Sequence, residues 1–294
     1  MSYVLSCCSV VDLSPEYMSA RNISFVPLHY FINGQEYSDD MGVTLSSADF
    51  YQAMRDGAEV STSQVNVDEF TRYFETFLAN GQDVIHLALS SGLSGSYNSA
   101  RIAAELLTEK YPDRKLYVVD SLAASAGDGL LIDTLADHRD NGESIDDLYR
   151  WIEKNKNKMH HWFTASDLTW FVKGGRVTKA AGWFGTVLKI CPVLNVDFMG
   201  RLIPRFKLRG KQNALKELVN QMKEHATDGK NYSGKCFISH SACYEDARTV
   251  ADEVEAYFPH LNGKVQIYNI GTTIGCHTGP GTVALFFWGT ERTN

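Results

Sequence analysis

Three short segments combine hydroxyls, glycines and a histidine in ways that suit the binding of an anion. Ser61-Thr62-Ser63-Gln64 offers hydroxyls without charge, and taken alone it also reads as a helix-capping turn ahead of Asp68. Ser90-Ser91-Gly92-Leu93-Ser94-Gly95-Ser96 stands between an apolar run and a helix-forming stretch. A helix N-terminus presents unpaired N–H groups and a partial positive charge, and Ser94 adds a hydroxyl to them. Gly271-Thr272-Thr273-Ile274-Gly275-Cys276-His277-Thr278-Gly279-Pro280-Gly281 carries too much glycine for a strand or helix interior. His277 inside it can donate a hydrogen bond to an anion, although a lone loop histidine is more often structural. Each segment falls where a strand ends or a helix begins, the region where open α/β sheets bind ligands.

Other chemistries fit less well. Gly92-Leu93-Ser94-Gly95-Ser96 nearly follows the G-x-S-x-G nucleophile elbow, but a serine replaces the final glycine. No Lys-Ser or Lys-Thr follows the glycines of the third segment, so the phosphate-loop spacing is missing. His160 and His161 are adjacent, with no spaced carboxylates, and no C-x-x-C pair occurs, so the sequence implies no metal site. The six cysteines, Cys7, Cys8, Cys191, Cys236, Cys243 and Cys276, read as reduced and mostly buried thiols.

The elements that must position these segments are well marked. Val84 to Leu89 is a buried-strand run, a helix follows over about 96–109, and Leu116 to Val119 is the next strand, ending at Asp120-Ser121. This βαβ unit implies a parallel sheet. Phe70, Tyr73, Phe74, Phe77 and Leu78 share one helical face, with Asn66 and Glu69 forming a capping box. Ile145, Leu148, Tyr149 and Ile152 repeat the pattern behind Ser144. Further on, Trp162 to Ala165 reads as a strand, and Val172 to Val177 breaks regular structure. Helices are expected over 213–225 and 245–258, and strands at 236–239, 265–268 and 283–287. The Lys- and Asn-rich stretch Glu153 to Lys158 is the best domain boundary, dividing the chain into 1–156 and 157–294.

Composition narrows the function classes. A formal net charge of -7 argues against nucleic acid as the main partner. No apolar run approaches a membrane span, so stable membrane insertion is not expected. The N-terminus lacks the pattern of a signal peptide, which places the protein in the cytoplasm.

Taken in order, the motifs resemble those of the DegV family of fatty-acid-binding proteins. They are Val26-Pro27-Leu28, Thr62-Ser63-Gln64, Ser91-Gly92-Leu93-Ser94-Gly95, Asp120-Ser121 with Ser125 and Gly127, Lys173-Gly174-Gly175-Arg176, Pro192-Val193-Leu194, Gly200, and His277-Thr278-Gly279-Pro280-Gly281. The resemblance implies an α/β fold of two domains, an N-terminal parallel-sheet α/β domain and a C-terminal α/β domain, with a lipid bound between or within them. It implies a long-chain fatty acid as ligand, with no cofactor and no catalytic residue. The lipid carboxylate would be held by Thr62 and Ser94, with His277 nearby and Gly95 and Ser121 beside them. It also implies an ATP-binding fatty acid kinase subunit as partner, making acyl phosphate for phospholipid synthesis, with Arg176 as a docking contact. Lys173, Arg176, Lys179, Lys189, Arg201, Arg205, Lys207 and Arg209 make that region locally basic. Two positions depart from the family pattern: Cys8 stands where Asp is usual, near the expected head group, and Val65 follows Gln64 in place of a proline.

Two rival functions stay open at this level. A lipid-ester hydrolase would need Ser94 as nucleophile, His277 as base and Asp120 as orienter. A regulatory lipid sensor would bind the same ligand without presenting it to a kinase.

Overall fold

The alternation of side chains along two short strands sets the architecture, which a computed structural model describes over residues 3–166, 168–178 and 190–293. In chain order the elements are β1 (Tyr3–Cys8), α1 (Pro15–Ala20), β2 (Ile23–Val26), β3 (His29–Ile32), β4 (Gln35–Ser38), α2 (Ser47–Arg55), β5 (Val60–Ser63), α3 (Val67–Leu78), β6 (Asp83–Ala88), α4 (Ser96–Lys110), β7 (Leu116–Asp120), α5 (Ala126–Asp140) and α6 (Ile145–Asn155). There follow β8 (Met159–Thr164), α7 (Thr169–Lys173), β9 (Ile190–Val196), β10 (Leu202–Arg209), α8 (Lys211–His225), β11 (Cys236–His240), α9 (Tyr244–Tyr257), β12 (Gln266–Asn269), α10 (Thr272–Thr278) and β13 (Val283–Trp288).

The first sheet has the order β2-β1-β6-β7 and every pair in it is parallel, as the βαβ reading requires. Both faces are covered. Leu5 and Cys7 of β1, with Ile85 and Leu87 of β6, enter one core with α5 and α6. Cys8 and Val84 point the other way, into a core with Phe70, Phe74 and Leu78 of α3. This is the two-residue period of a strand buried on both sides. The second sheet, β10-β9-β8-β13-β11-β12, is built wholly from residues after 158. Its β13 also alternates: Ala284 and Phe286 join the core shared with α5, while Val283, Leu285 and Phe287 pack against α8 and α9. Helix α5 therefore lies between the two sheets, and the protein is a two-domain α/β fold. No helix among the described residues is long and apolar enough to cross a membrane.

Two elements depart from the sequence reading. Residues 61–63 are strand, not a capping turn, and with β3 and β4 they form a small antiparallel sheet in the order β4-β3-β5. Polar Ser61 and Ser63 face out, and only cross-strand pairing with β3 makes the segment a strand. The glycine-rich third segment holds a helix, α10. Gly275 within it packs so tightly against Phe50 and Tyr51 that an added Cβ would lie 2.7 Å from each, so the glycine serves close helix packing. The Pro192-Val193-Leu194 motif lies in the first strand of an antiparallel hairpin, β9–β10. Lys179 and Lys189 of the basic region lie outside the described residues.

An ion network ties the early chain to the late chain. Asp133 on α5 is fully buried and pairs with Arg21 at 2.9 Å and Lys235 at 2.5 Å. Arg21 follows α1 and Lys235 precedes β11. Such a carboxylate is tolerated inside because its partners arrive from both sides.

The capping box at α3 is fully formed: Asn66 accepts from the Glu69 N–H at 3.0 Å and Glu69 accepts from the Asn66 N–H at 2.8 Å. Asn66→Ala should therefore lower unfolding free energy by about 1 kcal/mol. Urea denaturation checks this, and an unchanged midpoint would mean that α3 is held by its apolar face alone.

Candidate functional site

The C-terminal ends of the parallel strands, the small antiparallel sheet and α10 enclose a cavity of about 290 Å³. Its wall is mostly apolar, including Leu28, Leu89, Phe163, Phe171, Val196 and Phe286. Thr62, Ser94, Gly95, Arg176 and His277 all line it. Segments some two hundred residues apart in the chain thus meet on one space. Ser121 is not part of that lining. It is fully buried, accepts from the Ala123 N–H at 3.1 Å and donates to the Ala123 carbonyl at 3.3 Å.

The histidine is held on one side only. Its Nε2 lies 2.8 Å from the Thr62 hydroxyl, and its Nδ1 is buried without a partner. An unpaired N–H would be costlier to bury than an unpaired lone pair's worth of acceptor capacity. The neutral tautomer with the proton on Nε2 follows, so Nε2–H donates to Thr62 and the Thr62 hydroxyl proton is free for an incoming acceptor. Gly174 faces Nδ1 so closely that a Cβ there would lie 2.2 Å away. The glycine of the Lys173-Gly174-Gly175-Arg176 motif is thus required by the approach of this ring. Burial, and then the Arg176 guanidinium, push His277 down to about 4.

Arg176 reaches the same wall. Half-buried, it donates from Nε to the Leu93 carbonyl at 3.1 Å and from its guanidinium to the Gly174 carbonyl. Burial lowers its pKa, yet a guanidinium stays charged in a protein. Expected as a docking contact, it is also a cation in the cavity wall. Ser94 sits just ahead of α4, donating to Ser96 Oγ at 3.0 Å and accepting from the Ser96 N–H at 3.2 Å. At Gly95 an added Cβ would fall 2.0 Å from the Gln64 side-chain oxygen, so a side chain there would displace the Gln64 amide from α4.

This arrangement can hold a carboxylate: two hydroxyls, an imidazole and a guanidinium face one apolar space. It does not assemble the hydrolase relay. His277 is bonded to Thr62, Ser94 to Ser96, and Asp120 accepts from the backbone of Ser91 and Leu122. Among the described residues no group of His, Cys, Asp or Glu is arranged to hold a metal.

Cys8 is not in the cavity wall. Its sulfur lies 3.8 Å from His86 Nε2, while His86 Nδ1 meets the Ser6 hydroxyl at 2.9 Å. Burial raises the thiol to about 12 and lowers the imidazole to about 3, so the pair is neutral. The departure from the usual Asp therefore alters a sealed contact behind the sheet. His161, weighed in the sequence only as a metal ligand, and Ser125, named only within a motif, also line the cavity. The signal for His161 was strand alternation: it shares a face with Phe163, whereas His160 stacks on Phe287 and His225 behind.

With this geometry in view, comparison with known proteins is informative. A profile described as an uncharacterised protein of the DegV family matches residues 9–290. A DegV domain-containing protein of Clostridium perfringens is 38% identical over 290 residues, covering 99% of this chain and 98% of its own. Among solved structures, a Thermotoga maritima protein described as revealing fatty acid binding function is 27% identical with a TM-score of 0.81, covering 98% of this chain and 99% of that one. A stearic-acid-binding protein from Eubacterium ventriosum is 25% identical with a TM-score of 0.85, covering 97% of each chain.

The His277 ring is neutral in the empty site, and a bound carboxylate beside it would raise its pKa. Between about 4 and the raised value, ligand binding should therefore take up protons. NMR titration of the empty protein should find His277 with a midpoint near 4, and calorimetry in two buffers at weakly acidic pH should register uptake. A midpoint near the ordinary histidine value would contradict the assigned burial.

Proposed function

This chain belongs to the DegV family, and from that premise we propose that it binds one long-chain fatty acid, with the carboxylate on Thr62, Ser94 and Arg176 and with His277 beside them, orienting Thr62. The observation that carries the reading is the convergence of these four groups on a single, mostly apolar cavity. Hydrogen bonds to a charged group contribute roughly 1.5–3 kcal/mol each, which together offset much of the cost of taking a carboxylate from water. The tail adds on the order of 0.8 kcal/mol per buried CH₂, less the cost of ordering it. Binding of this kind needs no activated nucleophile, in keeping with Ser94 bonding Ser96 and His277 bonding Thr62.

The reading extends to a role. The protein presents its lipid in the cytoplasm to an ATP-binding kinase subunit, which forms the acyl phosphate, and the protein itself performs no chemistry. Support comes from the sequence resemblance and from Arg176, which links the cavity wall to the Gly-Gly-Arg segment. The surrounding basic residues are partly matched within the chain: Arg201 pairs with Asp197 at 2.7 Å and Arg205 bonds Asn195 at 2.8 Å. We place the division between the lipid-facing halves at 156/157, where α6 gives way to β8.

Thr62→Ala and Ser94→Ala should each weaken fatty acid binding about tenfold or more while leaving circular dichroism unchanged. Displacement of a fluorescent fatty acid measures this. Parent-like affinity in both variants would sink the site assignment, and labelling of Ser94 by a fluorophosphonate would turn the reading toward a hydrolase.

A further inference from the structure

The end of α10 away from His277 is tied down by two buried carboxylates that the lipid site does not use. Asp12, in the turn after β1, accepts from the Gly271 N–H at 3.0 Å and from the Ser125 hydroxyl. Asp39, after β4, accepts from the Thr273 N–H at 3.3 Å and from its hydroxyl at 2.5 Å. Both come from the N-terminal half of the chain, and α10 from the far C-terminal part. His277 stands six residues beyond Gly271, about 9 Å along the helix, where it must meet Thr62. Ser125 is itself a cavity-wall residue, held at a positive φ of 60°, so Asp12 also fixes part of the wall.

We propose that Asp12, seconded by Asp39, is a positioning residue for the lipid site: as a carboxylate it seats α10 and Ser125, and on protonation it loosens both, so that acid speeds release of the bound fatty acid. The proposal rests on the fatty acid reading above. An ionised carboxylate accepts from Gly271 and Ser125 at once. A protonated one must donate from one oxygen and loses a charge-assisted bond. Other contacts keep α10 docked meanwhile. The Tyr51 hydroxyl donates to the Ile270 carbonyl at 2.9 Å, and Gly275 packs on Phe50 and Tyr51. The loss is local rather than global.

The surroundings place this change in a useful range. Burial raises the Asp12 carboxyl to about 6, against the pull of Ser125, Gly271 and the Ser239 hydroxyl on β11, with the Asp39 charge adding to the rise. The other titratable groups coupled to it are Asp128 on α5, pushed well up by burial, and Tyr51 on α2, also raised. His277 titrates lower in the empty protein, and a bound carboxylate raises it, so the Asp12 variant is what separates the two events.

The test uses the full chain loaded with a fluorescent fatty acid, with release followed from about pH 8 to about pH 5. The parent should release faster as pH falls through the Asp12 range. Asp12→Asn, which mimics the protonated acid, should be fast at neutral pH, on the order of tenfold, and should show no further acceleration as pH falls. Ser125→Ala removes a donor to the carboxylate and should move the midpoint upward. A release profile of Asp12→Asn that superimposes on the parent would overturn the proposal. Amide exchange at Gly271 and Thr273 in the lipid-free protein decides the matter independently. Loss of protection in Asp12→Asn supports seating by Asp12, and parent-like protection overturns it. If the parent takes up no fatty acid, the functional reading fails, and the exchange measurement still judges Asp12.

Discussion

The contact between Thr62 and His277 joins a strand near the start of the chain to a helix near its end. A carboxylate entering an apolar cavity must be met by donors already in place, because no water remains to supply them. That constraint explains why residues so far apart in sequence are brought within 2.8 Å, and why small residues surround them. Gly174 admits the His277 ring, Gly275 lets α10 lie against α2, and Gly95 lets Gln64 close on α4. These close approaches set where the donors stand before a ligand arrives, which is the preorganisation that a charged ligand requires.

The rest of the fold serves the same end. A parallel sheet directs the carboxyl ends of its strands to one side, and the loops after β6 and β7 open there. The second sheet supplies the opposing apolar wall from the alternate residues of β8, β9 and β13. Helix α5 fills the layer between the sheets, and Asp133 at its middle, with Arg21 and Lys235, links the early chain to the late chain. Polar residues inside are neutral or matched. His86 sits against Cys8 and Ser6, and His160 is stacked between His225 and Phe287.

Much of this was legible in the residues. The capping box of Asn66 and Glu69, the apolar stripe of α6 behind Ser144 and the buried run of β6 follow from local rules that tertiary contacts only reinforce. Thr62, Ser94 and His277 were legible as polar exceptions at element ends. What was not legible depends on partners distant in the chain. Val60–Ser63 is a strand because β3 pairs with it, and α10 is a helix because α2 accepts its glycine. Arg176 reads as a surface cation in any linear pattern, and only the turn after α7 brings it into the cavity wall. Ser121, placed at the site by its motif, instead bonds the backbone of its own loop.

The central claim is that the cavity holds a single fatty acid by its carboxylate. Native mass spectrometry of the protein, first as purified from a bacterial host and then after incubation with free fatty acids, tests it most directly. The account predicts a mass excess of one fatty acid per chain, lost after organic extraction. A bare polypeptide mass in both samples would contradict it.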